Sequence, residues 1–267
     1  METAKIKDKI DQLNRKHSKI ITNSYMGFLD TIVGGFNFYE NANAILISYS
    51  DCGVRRLVFY SNDVEHLRAL LSEMPAGEYI MEKADRIGFE SDLDLCGAGF
   101  EKLKKLDRYS NNRIDELLGS DIPVLKYRGA VSKMVFTAAH RENVNRLLYE
   151  TFDARISHLP DERLLSEQLD AGEFVGVMGD SEIVTLLQRR IEKKKFYINQ
   201  IINIGKKDNV HSVLLEELDQ FVASGGKTVY SWIEDDNEAS IRFHEKYGMK
   251  KDGTYVTVYS YHKEGLA

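Results

Sequence analysis

The sequence predicts an α+β protein in which helices flank a mixed, mostly antiparallel sheet. In residues 130–267, strand-like and helical patterns follow the order β-α-α-β-β-β-α-β-α-β, and the three consecutive strands predict an antiparallel meander. In residues 1–125, short strand-like runs surround an amphipathic helix, which predicts a second, smaller α/β domain. The pattern loosens over residues 106–128, which are rich in turn-forming residues, and we place the domain joint there.

Composition places the chain among globular proteins. Its 267 residues are 43% hydrophobic and 29% charged, enough to bury one large core or two smaller ones. A formal net charge of −6 does not favour nucleic-acid binding. No run reaches about 18 apolar residues and the N-terminus has no apolar leader, so we expect no membrane segment and a cytoplasmic location. The two cysteines, Cys52 and Cys96, fit a reducing compartment.

The elements of the first domain follow from apolar spacing. Residues 2–20 predict a helix with one apolar face, and DVEHLRALLSEM predicts a second helix with Asn62 or Asp63 as its N-cap. The predicted strands of this domain are FNFY, AILISYS, VRRLVFYS and EYIMEKA.

The second domain has a clearer pattern. Its predicted helices are ENVNRLLYETF, DERLLSEQLDAG, SVLLEELDQFVASGG and NEASIRFHEKYG. Its predicted strands are SKMVFT, EFVGVM, EIVTLLQRR, FYINQIINI, KTVYSWIE and TYVTVYSYHK.

The segment DDNEASIRFHEKYGMKKDG carries a family resemblance. Together with the order of the elements, it resembles the late motif of the GNAT acetyltransferase superfamily, and the resemblance extends over residues 130–263. The matching positions are Asn237, Ser240, Phe243, His244, Gly248 and Met249. The resemblance implies acetyl-CoA or another acyl-CoA as cofactor, and transfer of its acyl group to a primary amine of a small-molecule or protein acceptor.

The resemblance also implies where the cofactor binds. In this superfamily two neighbouring strands, here FYINQIINI and KTVYSWIE, separate so that the pantetheine arm bonds to free backbone groups like a missing strand. The strand from Ile198 to Ile204 would supply these groups, and a backbone N–H in the range Ile202 to Ile204 would stabilise the oxyanion. The pyrophosphate would lie over residues 205–212, at the start of the next helix. The implied cofactor-binding residues are Ile202, Ile204, Lys206, Lys207, Asn209, Val210, His211, Ser212, Asn237 and Ser240.

This chain departs from the superfamily in its phosphate-binding turn. Asn209 and His211 stand where glycines would let the backbone approach a phosphate closely. Lys206 and Lys207 would compensate as point charges, and Asn tolerates left-handed backbone angles. The alternative is an ordinary solvated turn that caps a helix.

The implied catalytic residues are His244 and Glu234. His244 stands where many relatives have a tyrosine that protonates the departing thiolate, and a histidine with a pKa of roughly 6.5 can donate a proton near neutral pH. Glu234, at the end of a strand beside the cleft, is the candidate general base. The alternatives are a partly exposed histidine on an amphipathic helix and a surface carboxylate. Asn237 also fits a helix N-cap.

Other patterns point elsewhere or to no site. The basic run QRRIEKKKF predicts a solvated hairpin turn, with an acyl-carrier protein as an alternative partner. The histidines lack metal-ligand spacing, so we propose no metal. The absence of a P-loop and of a G-x-S-x-G motif disfavours kinase and hydrolase functions.

A faint internal echo predicts a tandem arrangement. Residues 91–100 and 240–249 share their spacing, so the first domain is interpreted as a shortened, degenerate GNAT-like copy. Two other functions stay open: a catalytically silent module that senses an acyl-CoA or binds a partner, and an acyltransferase that takes its acyl group from an acyl-carrier protein.

Overall fold

A computed structural model describes residues 3–24, 35–89 and 94–265. The chain forms two compact units, one made of Met1–Leu106 with Thr254–Ala267 and the other of Asp107–Gly253. The domain boundaries inferred from the sequence stay a prediction. No helix in the described ranges is long and apolar enough to span a membrane.

The elements follow the predicted order closely. The helices are α1 (Thr3–Lys16), α2 (Val64–Ser72), α3 (Ile114–Leu118), α4 (Arg141–Thr151), α5 (Ala154–Ser157), α6 (Glu162–Asp170), α7 (Lys207–Ala223) and α8 (Glu238–Glu245). The strands are β1 (Ile21–Thr22), β2 (Phe36–Glu40), β3 (Ala44–Asp51), β4 (Val54–Ser61), β5 (Gly77–Arg86), β6 (Glu101–Asn111), β7 (Met134–Val135), β8 (Phe174–Met178), β9 (Ile183–Glu192), β10 (Lys195–Asn203), β11 (Thr228–Glu234) and β12 (Lys250–Lys263). Short 3-10 helices lie at Pro123–Tyr127 and Ala138–His140.

The first unit is a sheet with a helix on each face. Strands β2, β3 and β4 pair antiparallel, and β5 pairs antiparallel with residues 254–263 of β12. Alternate residues of β3 and β4 face opposite sides, so one face packs on α1 and the other on α2. Asp63 caps α2 by accepting the backbone N–H of His66, as the sequence predicted.

The second unit places the functional elements on a sheet in the order β6-β11-β10-β9-β8-β7. Strands β7 to β10 pair antiparallel, which confirms the predicted meander, and β10 pairs with β11 in parallel. Helix α7 lies within one apolar cluster with β10 and β11 residues, while α4 and α6 form another with β8 and β9. The predicted α+β class, with a mostly antiparallel sheet and flanking helices, is confirmed.

The structure differs from the sequence prediction at three elements. Strand β6 extends into the stretch that the sequence analysis interpreted as a loose joint. The strand pattern was hidden because lysines interrupt its apolar residues and because one buried position is Asp107, which pairs with Lys251 at 2.5 Å. Strand β7 contains only Met134–Val135 of the predicted SKMVFT run. Helix α7 begins at Lys207 rather than near Ser212.

The predicted internal repeat is described only in part, since residues 91–93 lie outside the described ranges. The two echoing segments end alike: Gly99 and Gly248 have φ of 95° and 64°, and each precedes a buried residue and then a strand. Residues 95–99 form turns, whereas the corresponding part of the second unit contains α8. The tandem arrangement therefore stays a prediction.

Candidate active site

Two neighbouring strands of the second unit separate part-way along their length. Residues 195–198 of β10 pair in register with residues 228–231 of β11, and the recorded pairing stops there although both strands continue. At the last pair, the hydroxyl of Ser231 donates to the carbonyl of Ile198 at 2.9 Å. The rings of Tyr197 and Tyr230 stack at 4.8 Å on the paired side. This is the strand separation that the sequence predicted.

A β-bulge in β10 accompanies the separation. The β9–β10 register shifts between Ile198 and Gln200, which leaves Asn199 as the extra residue. The side chain of Asn199 accepts from Tyr197 Oη at 2.9 Å and donates to Gln188 Oε1 at 2.8 Å. A bulge bends its strand and increases its twist, which gives a local reason for β10 to leave β11.

The backbone groups that face the opening are only partly those predicted. The N–H of Ile204 donates to the carbonyl of Val184 on the β9 side at 3.0 Å, so it is not available to a ligand. Because backbone groups of an antiparallel strand alternate in direction, Ile202 also faces β9, whereas Ile201 and Asn203 face the opening. Within the predicted range Ile202 to Ile204, Asn203 therefore faces the opening and Ile202 and Ile204 do not, and Ile201 is added to it.

The start of α7 differs from the predicted phosphate-binding turn. Gly205 passes so close to its neighbours that a Cβ there would lie 2.9 Å from Asn209 Nδ2 and 3.2 Å from Val184 Cβ. The N-cap of α7, Lys206, makes no side-chain capping bond, and Lys206 and Lys207 are exposed. The other four predicted members have buried side chains: Asn209, Val210, His211 and Ser212. Ser212 Oγ lies 3.2 Å from Val131 N and 3.4 Å from Val131 O.

His211 lies inside an aromatic cage. Its ring is fully buried, stacks on Tyr127 at 4.9 Å and on Phe243 at 5.0 Å, and has Nδ1 2.8 Å from Tyr247 Oη. Burial, reinforced by nearby lysine charges, lowers the pKa of His211 to about 4. The resemblance implied a phosphate-binding backbone in residues 205–212, and the buried, neutral side chain of His211 adds no positive charge to it.

Three lysines from separate elements surround this cage. Lys246, Lys207 and Lys126 all contribute to the lowered pKa of His211. The pKa of Lys246 is itself lowered, by desolvation first and then by the neighbouring Lys207 ammonium. An ammonium whose pKa is lowered by a neighbouring ammonium gains from an anion placed beside it. The exposed Lys206 adds a fourth positive charge at the start of α7.

Helix α8 begins with a closed cap. Asn237 Oδ1 accepts the backbone N–H of Ser240 at 3.0 Å, which confirms the capping role predicted for Asn237. Just before it, the half-buried Glu234 ends β11, and its carbonyl accepts the N–H of Asn237 at 3.0 Å. Glu234 therefore lies on the part of β11 beyond the last recorded pair with β10.

His244 is 3% exposed rather than partly exposed as the alternative interpretation expected. Its Nδ1 lies 2.8 Å from the carbonyl of Ser240, so Nδ1 carries the proton and Nε2 is an acceptor, for which the described residues provide no partner. Burial lowers the pKa of His244 to about 4. At neutral pH the ring therefore has no proton on Nε2 to give to a leaving thiolate, which weighs against the acid role.

The basic hairpin lies away from the strand opening. Its turn, with Lys193 at φ 58°, precedes the paired end of β10, while the opening lies beyond Ile198. Arg189 pairs with the buried Glu217 at 2.7 Å and Arg190 with Glu173 at 3.3 Å. The acyl-carrier partner stays a prediction.

Sequence reasoning missed three features of this region: the bulge at Asn199, the aromatic cage around His211, and Gln200. The polar letters N and Q inside the apolar strand FYINQIINI were a usable signal, because a polar residue in a buried strand requires a partner. No spacing rule points to the cage, since Tyr127 lies far from His211 in the sequence.

Comparisons with known proteins agree with the fold. No protein-family model and no curated protein matches the sequence. Among solved structures, a GCN5-related N-acetyltransferase from Sphaerobacter thermophilus shares 11% identity with a TM-score of 0.58, covering 84% of this chain and 78% of that one. The tandem GNAT protein of the clavulanic acid biosynthesis pathway shares 9% identity with a TM-score of 0.54, covering 84% and 80%.

A third neighbour is a functionally unknown conserved protein from Staphylococcus epidermidis. It shares 10% identity with a TM-score of 0.53, covering 88% of this chain and 98% of that one. The chain therefore has the GNAT fold, and the likeness extends well beyond the half of the chain on which the sequence resemblance was based.

Proposed function

We propose that this chain is an acyl-CoA-dependent N-acyltransferase of the GNAT type, which transfers acetyl from acetyl-CoA to a primary amine of a small-molecule or protein acceptor. The observation that carries the proposal is the opening between β10 and β11. There the parallel pairing of β10 with β11 stops at Ile198 and Ser231. Beyond this point the backbone groups of Ile201 and Asn203 face the opening between the two strands. An extended ligand arm can bond to such groups as an added strand does.

The start of α7 supports the same proposal. Lys206 leaves the helix N-terminus without a side-chain cap, and Lys207, Lys246 and Lys126 add positive charge. A helix N-terminus with lysines suits the phosphates of CoA. We therefore assign Lys206 and Lys207 to these phosphates, and add Lys246 and Lys126 to the residues that the sequence suggested.

The reaction needs few groups from the protein. Acetyl-CoA, when bound, would supply the acyl group as a thioester, and its C–S bond would break to release CoA as a thiolate that takes its proton from water. Glu234, at the end of β11, would take a proton from the attacking amine. The N–H groups of Ile201 and Asn203 are the candidate donors to the carbonyl oxygen as it becomes negative. Asn237 and Ser240 would act mainly by fixing the start of α8.

A second candidate is a catalytically silent GNAT-like module that binds an acyl-CoA or a partner. The caged ring of His211 favours it, because His211 stands where the superfamily resemblance implies a glycine. The neutral, buried His244 also favours the silent module. It stands where the resemblance implies a tyrosine hydroxyl that protonates the departing thiolate, and its Nε2 carries no proton.

Calorimetric titration of the full chain with acetyl-CoA and with CoA, at modest salt, tests the proposal. Micromolar binding together with amine-dependent loss of the thioester supports the enzyme. Micromolar binding without turnover supports the silent module. No binding at millimolar ligand contradicts the acetyl-CoA enzyme and the acyl-CoA-binding module, and leaves transfer from an acyl-carrier protein or a silent module that binds a partner.

A further inference from the structure

Gln200 carries a buried side-chain oxygen that has no hydrogen-bond partner. The residue is 5% exposed, and Oε1 is among the unsatisfied buried atoms of the described chain. Its Nε2 donates to the carbonyl of Ser157 at 3.2 Å. This bond fixes the amide orientation, because the flipped group would place two oxygens against each other. An unpaired buried acceptor is costly, so its retention calls for an explanation.

Gln200 lies where the candidate site opens. It follows the bulge residue Asn199 and comes two residues after Ile198, the last β10 residue paired with β11. The next residue, Ile201, presents its backbone to the opening. The unpaired oxygen therefore belongs to the segment of β10 that would run alongside the reacting groups.

The amide side chains around Gln200 satisfy one another. Asn199 donates to Gln188 at 2.8 Å, and Gln188 donates to Gln168 at 3.3 Å. None of these three appears among the unsatisfied buried atoms of the described residues, in contrast to Gln200. Among these four amide side chains, the unpaired buried oxygen is therefore that of Gln200.

We propose that Oε1 of Gln200 accepts a hydrogen bond from the N–H of the acceptor amine and so positions its nitrogen. This inference rests on the proposed function and specifies how its acceptor is held. A neutral amide oxygen accepts an N–H without adding charge, and the candidate base Glu234 is the carboxylate that would take the proton released on attack. The acceptor class is accordingly a primary amine or hydroxylamine-type nitrogen that keeps an N–H for Gln200 as it attacks.

The test compares Gln200→Met with the wild-type chain. Acetyl-CoA is the donor, and hydroxylamine and benzylamine are the two acceptor probes. Thioester loss is followed by ultraviolet absorbance and corrected for the uncatalysed reaction, because the exposed Cys96 would react with a thiol dye. Acetyl-CoA affinity is measured by calorimetry. Gln168→Met is the matched control, since it removes an equally buried amide that bonds to Gln188.

We expect Gln200→Met to raise the KM of the better probe about tenfold, the usual effect of one neutral hydrogen bond. The Kd of acetyl-CoA should change less than twofold, and Gln168→Met should leave the acceptor KM near the wild-type value. Thermal melting checks the fold, and Gln200→Leu repeats the test if Gln200→Met does not fold.

Three results would overturn the positioning role. They are an unchanged acceptor KM in the folded Gln200 variant, an equal rise in Gln168→Met, and acetyl-CoA binding without turnover of either probe. If the wild-type chain does not bind acetyl-CoA, the proposed function fails and the inference fails with it. If the wild type turns over a probe and Gln200→Met is indistinguishable from it, the inference alone fails.

Discussion

The N-termini of α7 and α8 satisfy their backbone donors in different ways. At α8, the Asn237 side chain accepts the N–H of Ser240, so the chain closes this end itself. At α7, the N-cap residue is Lys206, which has no capping bond, and the first helical residue is another lysine. An open N-terminus beside positive charge favours an anion, whereas a capped one is complete without a ligand. The pair therefore separates a candidate ligand-binding end from a structural one.

The two helices are alike in their interior. His211 in α7 and His244 in α8 are both buried, and both have their pKa lowered to about 4 mainly by burial. We therefore expect the buried histidines of both helices to lower the stability of the chain in acid to a similar extent. We expect only the N-terminus of α7, and not that of α8, to contribute to ligand affinity.

The largest effect we expect is loss of stability in acid. In the unfolded chain each histidine has a pKa of roughly 6.5, whereas in the folded chain the buried ring is protonated only near pH 4. Between these two pH values the unfolded chain binds more protons than the folded chain. The free energy of unfolding should therefore have its highest value above pH 6.5. It should fall as the pH drops from 6.5 to 4, by up to about 3 kcal/mol for each histidine. Urea unfolding at a series of pH values measures this.

Variants separate this effect from that of other groups. His244→Gln keeps a donor for the Ser240 carbonyl and should remove about half of the fall between pH 6.5 and 4, because His211 still contributes. His262→Gln, at an exposed position, is the control substitution. If the His244→Gln curve runs parallel to that of the wild type, His244 takes up its proton at the same pH in the folded and in the unfolded chain, and burial does not keep it neutral.

Removing the lysines of the open end should weaken CoA binding. Lys206→Ala combined with Lys207→Ala should raise the Kd of CoA about tenfold, because two charges beside an uncapped helix N-terminus are lost. The affinity for a pantetheine fragment, which lacks the pyrophosphate, should change less than twofold. Calorimetry with both ligands measures the difference.

The basic hairpin offers a control of equal charge. Lys193→Ala with Lys194→Ala removes the same charge at the other end of β10, about 30 Å away for a strand of this length. This variant should bind CoA like the wild type. Equal weakening by both double variants would indicate a general charge effect rather than a site at α7.

The same regions show how far a sequence pattern reaches. Apolar spacing predicted α8 and its Asn237 cap, because both depend on neighbours within one turn. It placed the start of α7 too late, because Asn209, His211 and Ser212 look like turn residues until tertiary contacts with Tyr127, Tyr247 and Val131 bury them. Whether the backbone N–H of Ile201 or of Ile202 faces the opening depends on how β10 pairs with β9. A bulge shifts that pairing by one residue, and the local sequence pattern does not reveal such a shift.

Breaking the closed cap should cost stability but not affinity. Asn237→Ala removes the acceptor for the Ser240 N–H and should lower the free energy of unfolding by about 1 kcal/mol. Asn237→Asp keeps a capping oxygen and should restore most of this loss. Urea unfolding gives the stability, and acetyl-CoA titration gives the affinity. A Kd raised tenfold or more in Asn237→Ala would mean that this end also binds the ligand, and the contrast with α7 would disappear.

The smallest effect we expect is that of His244 on turnover. With its Nδ1 proton bonded to the Ser240 carbonyl and a pKa of about 4, the ring has no proton to donate from Nε2 at neutral pH. His244→Phe should therefore change kcat less than twofold in any amine-dependent thioester cleavage, once thermal melting shows the variant folded. A general acid contributes about 100-fold or more. A loss of that size, with an unchanged acetyl-CoA Kd, would restore the acid role implied by the sequence resemblance. It would also require Nε2 to gain a proton when the ligands bind, making α8 as functional as α7.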